Sequence, residues 1–172
     1  MVYYYNSIIS PFYSYSTGRT KETLRSSQVT CRDIDGDGCI EIPEDTSSKK
    51  QSSEITSQNW VNYGNTVLSH KCYSFSCKRD GYILVIDDDD FSKVKANYDS
   101  ESRKLTIIDK KNKSNVFEIV TLINSNYSVN DPKYKDYTMI MKNSGFVYLA
   151  KVNKSSDIDI NIQTLKDMIK VY

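Results

Sequence analysis

The sequence predicts an α+β fold that is mainly an antiparallel β-sheet, with a β-hairpin around an acidic loop and a C-terminal helix. Fourteen tyrosines raise the aromatic fraction to 12%, and tyrosine favours the half-buried, pleated surface of a strand. Short apolar runs bounded by turn residues recur through the second half of the chain. A helix is predicted over about residues 162–171, because four apolar residues there have helical spacing: Ile160, Leu165, Met168 and Ile169.

These patterns divide the chain into two predicted domains, residues 1–70 and 71–172. In the first domain, a predicted strand over residues 23–30 leads into an acidic loop at 33–44. At the end of that loop, Ile40 and Ile42 alternate with polar residues, as in a second strand. Because strand patterns lie on both sides of the acidic segment, we expect a hairpin rather than a pair of helices. Residues 45–58 are polar and weakly patterned, which predicts an exposed loop.

The second domain is predicted to be a meander of antiparallel strands that a helix closes on one face. Polar turn residues separate its strand-like runs. These runs are residues 81–86, 93–98, 104–108, 116–123, 137–141 and 145–152.

Charge and hydropathy exclude several classes of protein. The 23 basic and 22 acidic residues give a formal net charge of +1, whereas nucleic-acid binders usually carry a basic face. No apolar run is long enough to predict a membrane span. The first residues lack a basic segment followed by an apolar one, so no export signal is visible in this chain.

One segment has a pattern that is specific for metal binding. Residues 33–44 match D-x-D-x-D-G and end with glutamate at position 12. Calcium takes six to eight oxygen ligands, and three carboxylates at alternate positions can fold onto one ion. Gly38 permits the sharp turn at position 6, and the main-chain carbonyl of Cys39 takes position 7. We therefore expect Ca²⁺ as a cofactor, with three aspartate ligands: Asp33, Asp35 and Asp37.

Two glutamates compete for the place of the last ligand. In a hairpin-type calcium loop it is the acidic residue at position 9, here Glu41, whereas an EF-hand uses position 12, here Glu44, on the following helix. Pro43 and the alternation around it disfavour a helix, so Glu41 is favoured and Glu44 comes second. Ile40 at position 8 is expected to pack inward. The competing interpretation is an acidic turn that binds no metal.

Other polar and aromatic residues have simpler interpretations. His70 is the only histidine, and no nucleophile motif surrounds it, so we expect no catalytic residues. Residues 87–90 are all aspartate, and they predict a solvated turn. Trp60 and Tyr63 could stack on sugars, although packing in the core or at an edge is favoured. The four cysteines could be free thiols or form local disulfides. A zinc site is the less favoured alternative, because the spacings are not those of paired C-x2-C ligands.

The acidic loop and its neighbours also carry a family resemblance. Thr-Leu-Arg at 23–25, the loop with its following Ile-Glu-Ile-Pro, and Trp-x-x-Tyr-Gly at 60–64 resemble the last calcium-loop segment of FG-GAP/VCBS-type repeat proteins. Those are β-propeller proteins of Gram-positive bacteria, often secreted or anchored as lipoproteins. The resemblance covers about residues 16–70, whereas the part from residue 80 onward weakly resembles PsbP-like α+β domains.

The resemblance implies a function and a location. A propeller needs several blades and at most one is present, so we expect a fragment, a truncated paralogue or a remnant blade docked on a second domain. The expected function is a calcium-stabilised binding or scaffold module without catalysis, at the cell surface or secreted. Its expected partner is a protein or glycan, or an upstream propeller domain. The alternatives are an EF-hand or dockerin-like interaction module and an accessory domain of a secreted hydrolase.

Overall fold

Two five-stranded antiparallel sheets form most of the structure, which is a computed structural model. A separate hairpin pairs β1 (Val2–Tyr5) with β2 (Ile8–Pro11). The structure describes residues 2–5, 8–11, 29–46, 54–64, 67–128, 131–154 and 156–172.

The first sheet has the strand order β12-β6-β5-β4-β3. Its strands are β3 (Ile42–Asp45), β4 (Ile55–Gly64), β5 (Val67–Cys77), β6 (Tyr82–Ile86) and β12 (Ile169–Val171). The long β4–β5 hairpin is its centre, and the C-terminal strand β12 adds to β6 at one edge.

The second sheet has the strand order β10-β11-β9-β8-β7. Its strands are β7 (Val94–Asp99), β8 (Lys104–Asp109), β9 (Asn115–Ile123), β10 (Thr138–Lys142) and β11 (Phe146–Val152). Consecutive strands β7, β8 and β9 pair as a meander, as the sequence predicts for this region.

Side chains from both sheets share one hydrophobic core. Phe75 and Leu84 of the first sheet belong to the same buried cluster as Ile107 and Phe117 of the second. Successive residues of a strand point to opposite faces of a sheet, so the other face of the first sheet needs separate cover. A second cluster provides it, and its buried members are Val29, Ile34, Trp60 and Ile83.

The α+β prediction is wrong, because the described residues are mainly antiparallel β-sheet. The helices are short: α1 (Asp88–Phe91) and α2 (Ile162–Met168), besides two turns of 3₁₀ helix. The predicted C-terminal helix ends at Met168 because Ile169 begins the strand that pairs with β6. Within the described ranges, no helix has the length and apolar character needed to cross a membrane.

The acidic residues 87–90 do not form a simple turn, since Asp88 begins α1. The segment predicted as an exposed loop over residues 45–58 contains the start of β4, where Ser57 and Gln58 are buried. The predicted domain boundary after residue 70 falls inside β5, and the division into two domains stays a prediction. Most of the predicted strand at 23–30 lies outside the described residues.

Candidate metal centre

The acidic loop begins and ends at one antiparallel bridge. Arg32 and Glu41 exchange two main-chain hydrogen bonds, of 3.2 Å from the Arg32 N–H and 2.9 Å from the Glu41 N–H. Strand β3 starts one residue later. The loop is therefore closed by paired extended segments, and not by the two helices of an EF-hand.

The structure brings the three predicted aspartates together. One carboxylate oxygen from each of Asp33, Asp35 and Asp37 lies within 4.8 Å of the others. Residues at alternate positions of a turning loop can face one centre, and calcium loops supply carboxylate ligands in this way. These three form the sole such cluster of metal-ligating side chains within the described part of the chain.

Main-chain N–H groups orient the Asp33 carboxylate. Its Oδ1 accepts a hydrogen bond from Gly36 N at 2.6 Å, and its Oδ2 accepts one from Gly38 N at 3.0 Å. Both glycines have a left-handed φ, +83° and +87°, which other residues adopt at a cost. The two glycines therefore let the chain wrap around Asp33.

Asp35 and Asp37 each accept a hydrogen bond from one main-chain N–H, and both contact the same ammonium group. Asp35 Oδ1 accepts from Asp37 N at 3.1 Å, and Asp37 Oδ1 accepts from Cys39 N at 2.8 Å. Their Oδ2 atoms face Lys71 Nζ, at 3.2 Å from Asp35 and 2.6 Å from Asp37. The ammonium, helped by the Cys39 N–H, holds the pKa of Asp37 below its usual range.

Glu41 is buried against this loop with one carboxylate oxygen unpaired. Its side chain is fully buried, and Oε2 accepts a hydrogen bond from Ile34 N at 3.0 Å. Oε1 makes no hydrogen bond to any residue that the structure describes. Burial raises the pKa of Glu41, and the negative charges of the three aspartates raise it further. A buried acceptor without a partner is costly, and a cation would satisfy it.

Glu44, the second candidate for the last ligand, lies elsewhere. It belongs to β3, and its Oε2 accepts a hydrogen bond at 3.2 Å from Asn59 Nδ2, on the residue directly opposite in β4. Neither Glu44 nor Glu41 belongs to the aspartate cluster. Glu41 is the better candidate, because its Oε2 accepts from Ile34 N within the loop and the charges of the aspartates act on its carboxyl group.

The apolar anchor of the loop is Ile34 and not Ile40. Ile40 was expected to pack inward, but its side chain is 62% exposed, and this prediction is wrong. Ile34 is buried against Trp60 and Ile83 instead. The tight turns of the loop break the simple alternation, so the inward position cannot be read from spacing alone.

The pattern of the sequence does not predict Lys71. This residue lies in β5, 34 positions after Asp37, and only the pairing of the sheet places it beside the loop. No local sequence motif identifies a lysine within a strand as part of a binding site.

The donor set of the loop fits a hard divalent cation. One lysine contacts two of the three aspartates, so negative charge remains in excess, and the buried Glu41 carboxylate adds to it. Every side-chain donor is a carboxylate oxygen, the ligand type that calcium prefers. The four cysteines are free thiols, and none of them joins the cluster.

His70 takes part in a separate chain of hydrogen bonds. Its Nε2 lies 2.8 Å from Asp88 Oδ1, and its Nδ1 lies 2.5 Å from Asn59 Oδ1. Asn59 in turn donates to Glu44. The chain ends on carboxylates on both sides, and the described bonds bring no serine or cysteine nucleophile to the imidazole.

The chain matches no family model, and no curated protein or solved structure matches it. The similarity to FG-GAP/VCBS-type proteins and to PsbP-like domains therefore stays a prediction. Only the geometry of the acidic loop points to a function.

Proposed function

We propose that this protein is a calcium-stabilised binding or scaffold module without catalytic activity, which acts at the cell surface or outside the cell. The observation that carries the proposal is the Glu41 carboxylate, which is fully buried beside three convergent aspartates and has one unpaired oxygen. A turn that only faced solvent would not need a fourth carboxylate beneath it.

The proposed carboxylate ligands follow from the position of each group, and the Cys39 carbonyl follows from its place in the sequence pattern. Asp33, Asp35 and Asp37 supply carboxylate oxygens, the main-chain carbonyl of Cys39 supplies one more, and Glu41 closes the site from below. Glu44 remains the second choice for that last place. When bound, calcium supplies positive charge that offsets the mutual repulsion of the carboxylates.

The expected role of the metal is structural. Calcium sites of extracellular modules have Kd values of about 10⁻⁴–10⁻³ M. With calcium at tenfold over Kd, linkage adds about 1.4 kcal/mol to the free energy of unfolding. That gain fits a loop held rigid in a calcium-rich medium, where its surface serves a protein or glycan partner.

Calorimetric titration and thermal melts test the site in calcium and in chelator. The wild-type protein should bind one calcium ion and melt at a higher temperature with it. Asp35→Ala should remove both effects, since it deletes a ligand on the exposed side of the loop. Asp89→Ala, an exposed acidic residue in α1, is the matched control and should keep them. If the wild-type protein shows no heat of binding and no shift in melting temperature, the proposal is rejected.

A further inference from the structure

We infer that Lys71 is a built-in competitor of calcium, whose ammonium group must leave Asp35 and Asp37 before the metal can bind. The inference rests on the proposed calcium site and concerns its regulation. In this view, the single side chain of Lys71 in β5 sets the affinity for calcium and stabilises the loop when calcium is absent.

The hydrogen bonds of Asp35 and Asp37 show for which oxygens the ammonium group and calcium would compete. In each carboxylate, Oδ1 is already held by a main-chain N–H of the loop. The Oδ2 atoms face Lys71 Nζ instead, at 3.2 Å for Asp35 and 2.6 Å for Asp37. A calcium ion at its usual oxygen distance of about 2.3–2.6 Å would need the same atoms. An ammonium and a divalent cation cannot share them without strong repulsion.

Lys71 satisfies only part of the site. The ammonium contacts Asp35 and Asp37, whereas Asp33 holds only main-chain N–H groups among its described bonds. With Lys71 in place, Glu41 Oε1 still makes no hydrogen bond within the described chain. A divalent ion among the three convergent carboxylates would reach Asp33 as well as Asp35 and Asp37, so calcium gains a contact that lysine does not make.

The lysine can leave at modest cost. Its side chain is 27% exposed, and lysine carries a strongly hydrated charge on a flexible four-carbon stem. Ion pairs near the protein surface contribute little to stability, because water and salt screen them. The competition should therefore weaken calcium binding without preventing it.

Removal of the ammonium should have opposite effects on the two states of the protein. Without calcium, the aspartates lose their only described cation, and the loop becomes less stable. With calcium, no competitor has to be displaced, and the metal binds more tightly. Loss of two exposed ion pairs corresponds to a gain of about tenfold in affinity.

The test compares the wild type with Lys71→Met, which keeps most of the stem and removes the charge, and with Lys71→Arg, which keeps a charge. Lys95→Met, an exposed lysine on β7 of the other sheet, is the control for the change in net charge. Calorimetry at low ionic strength should give about tenfold tighter calcium binding for Lys71→Met only. In chelator, the same variant should melt at a lower temperature than Lys95→Met.

A second measurement uses the wild-type protein and does not depend on the folding of a variant. Reductive methylation followed by mass spectrometry should modify Lys71 faster in calcium than in chelator, because the metal releases its amine. Lys95 should react equally in both.

The outcomes separate this inference from the proposed function. Calcium binding with equal affinity in wild type and Lys71→Met, or a Lys71 methylation rate that calcium leaves unchanged, would overturn the inference and leave the calcium site standing. Absence of binding in both proteins would overturn the site itself. Binding by Lys71→Met alone would support the competition and reject a calcium function for the natural chain.

Discussion

At the scale of the residue, Glu41 should have opposite effects on the calcium-free and calcium-bound protein. Burial raises its pKa, so the folded state holds the proton more tightly than the unfolded chain does. Its contribution to stability is therefore greatest below the unfolded value of about 4.3 and is lost as pH rises through the folded pKa. Without metal, ionisation of this buried carboxyl group therefore costs stability.

Glu41→Gln should therefore stabilise the calcium-free protein at pH 7 by about 1 kcal/mol, because it removes a buried charge and retains an acceptor for Ile34 N–H. The same change should reduce the stabilisation by calcium, since a ligand is lost. Urea unfolding in chelator and in calcium measures both effects, with the exposed Glu101→Gln as control. A variant that is less stable than wild type in chelator would contradict this account of Glu41.

What the sequence can predict at this scale depends on how local the cause is. The convergence of Asp33, Asp35 and Asp37 follows from their spacing and from the glycines at 36 and 38, so the pattern predicts it. The burial of Glu41 and the approach of Lys71 arise from sheet pairing across the chain, which no local pattern contains.

At the scale of the element, the turn between β5 and β6 links the two sheets through Asp80. This fully buried carboxylate accepts hydrogen bonds from Arg103 Nε at 2.7 Å and Tyr98 Oη at 2.9 Å. Both donors lie in or next to strands of the second sheet, and Tyr148 of that sheet donates to the Asp80 main-chain oxygen at 2.8 Å. The turn between β5 and β6 is thus a polar joint, that is, a set of hydrogen bonds that connects the first sheet to the second.

Asp80→Ala should lower the free energy of unfolding by about 3–5 kcal/mol, because it leaves the largely buried guanidinium of Arg103 without its partner. Chemical denaturation measures the loss. Asp89→Ala, which removes an exposed carboxylate from α1, should change stability by less than about 0.5 kcal/mol. A loss under about 1 kcal/mol for Asp80→Ala would show that the joint is not a main source of stability.

Two elements show why the sequence pattern is insufficient at this scale. The spacing of Leu165 and Met168 correctly predicts a helix, and Asn161 caps its start by accepting from Gln163 N and Thr164 N. The pattern overextends the helix because Ile169 satisfies both the helical and the strand period. Pro43, which in the sequence disfavours a helix, lies inside β3, since a strand at the end of the sheet order tolerates a residue without an N–H.

At the scale of the whole molecule, the shared core predicts one cooperative unfolding transition. Trp60, the single tryptophan, reports on the outer face of the first sheet, whereas far-ultraviolet circular dichroism reports on both sheets. Because Leu84 and Phe117 from the two sheets belong to one buried cluster, the two signals should have the same urea midpoint. Two separate midpoints would instead support independent domains at residues 1–70 and 71–172.

The free thiols bear on where such a protein can persist. Burial raises the pKa of Cys72 and of Cys77 to about 12, and the Asp37 carboxylate raises that of the exposed Cys39. Since the thiolate is the form that attacks disulfides and reacts with oxidants, all three are poor nucleophiles near neutral pH. Low reactivity gives these three thiols kinetic protection against oxidants and against exchange with other disulfides.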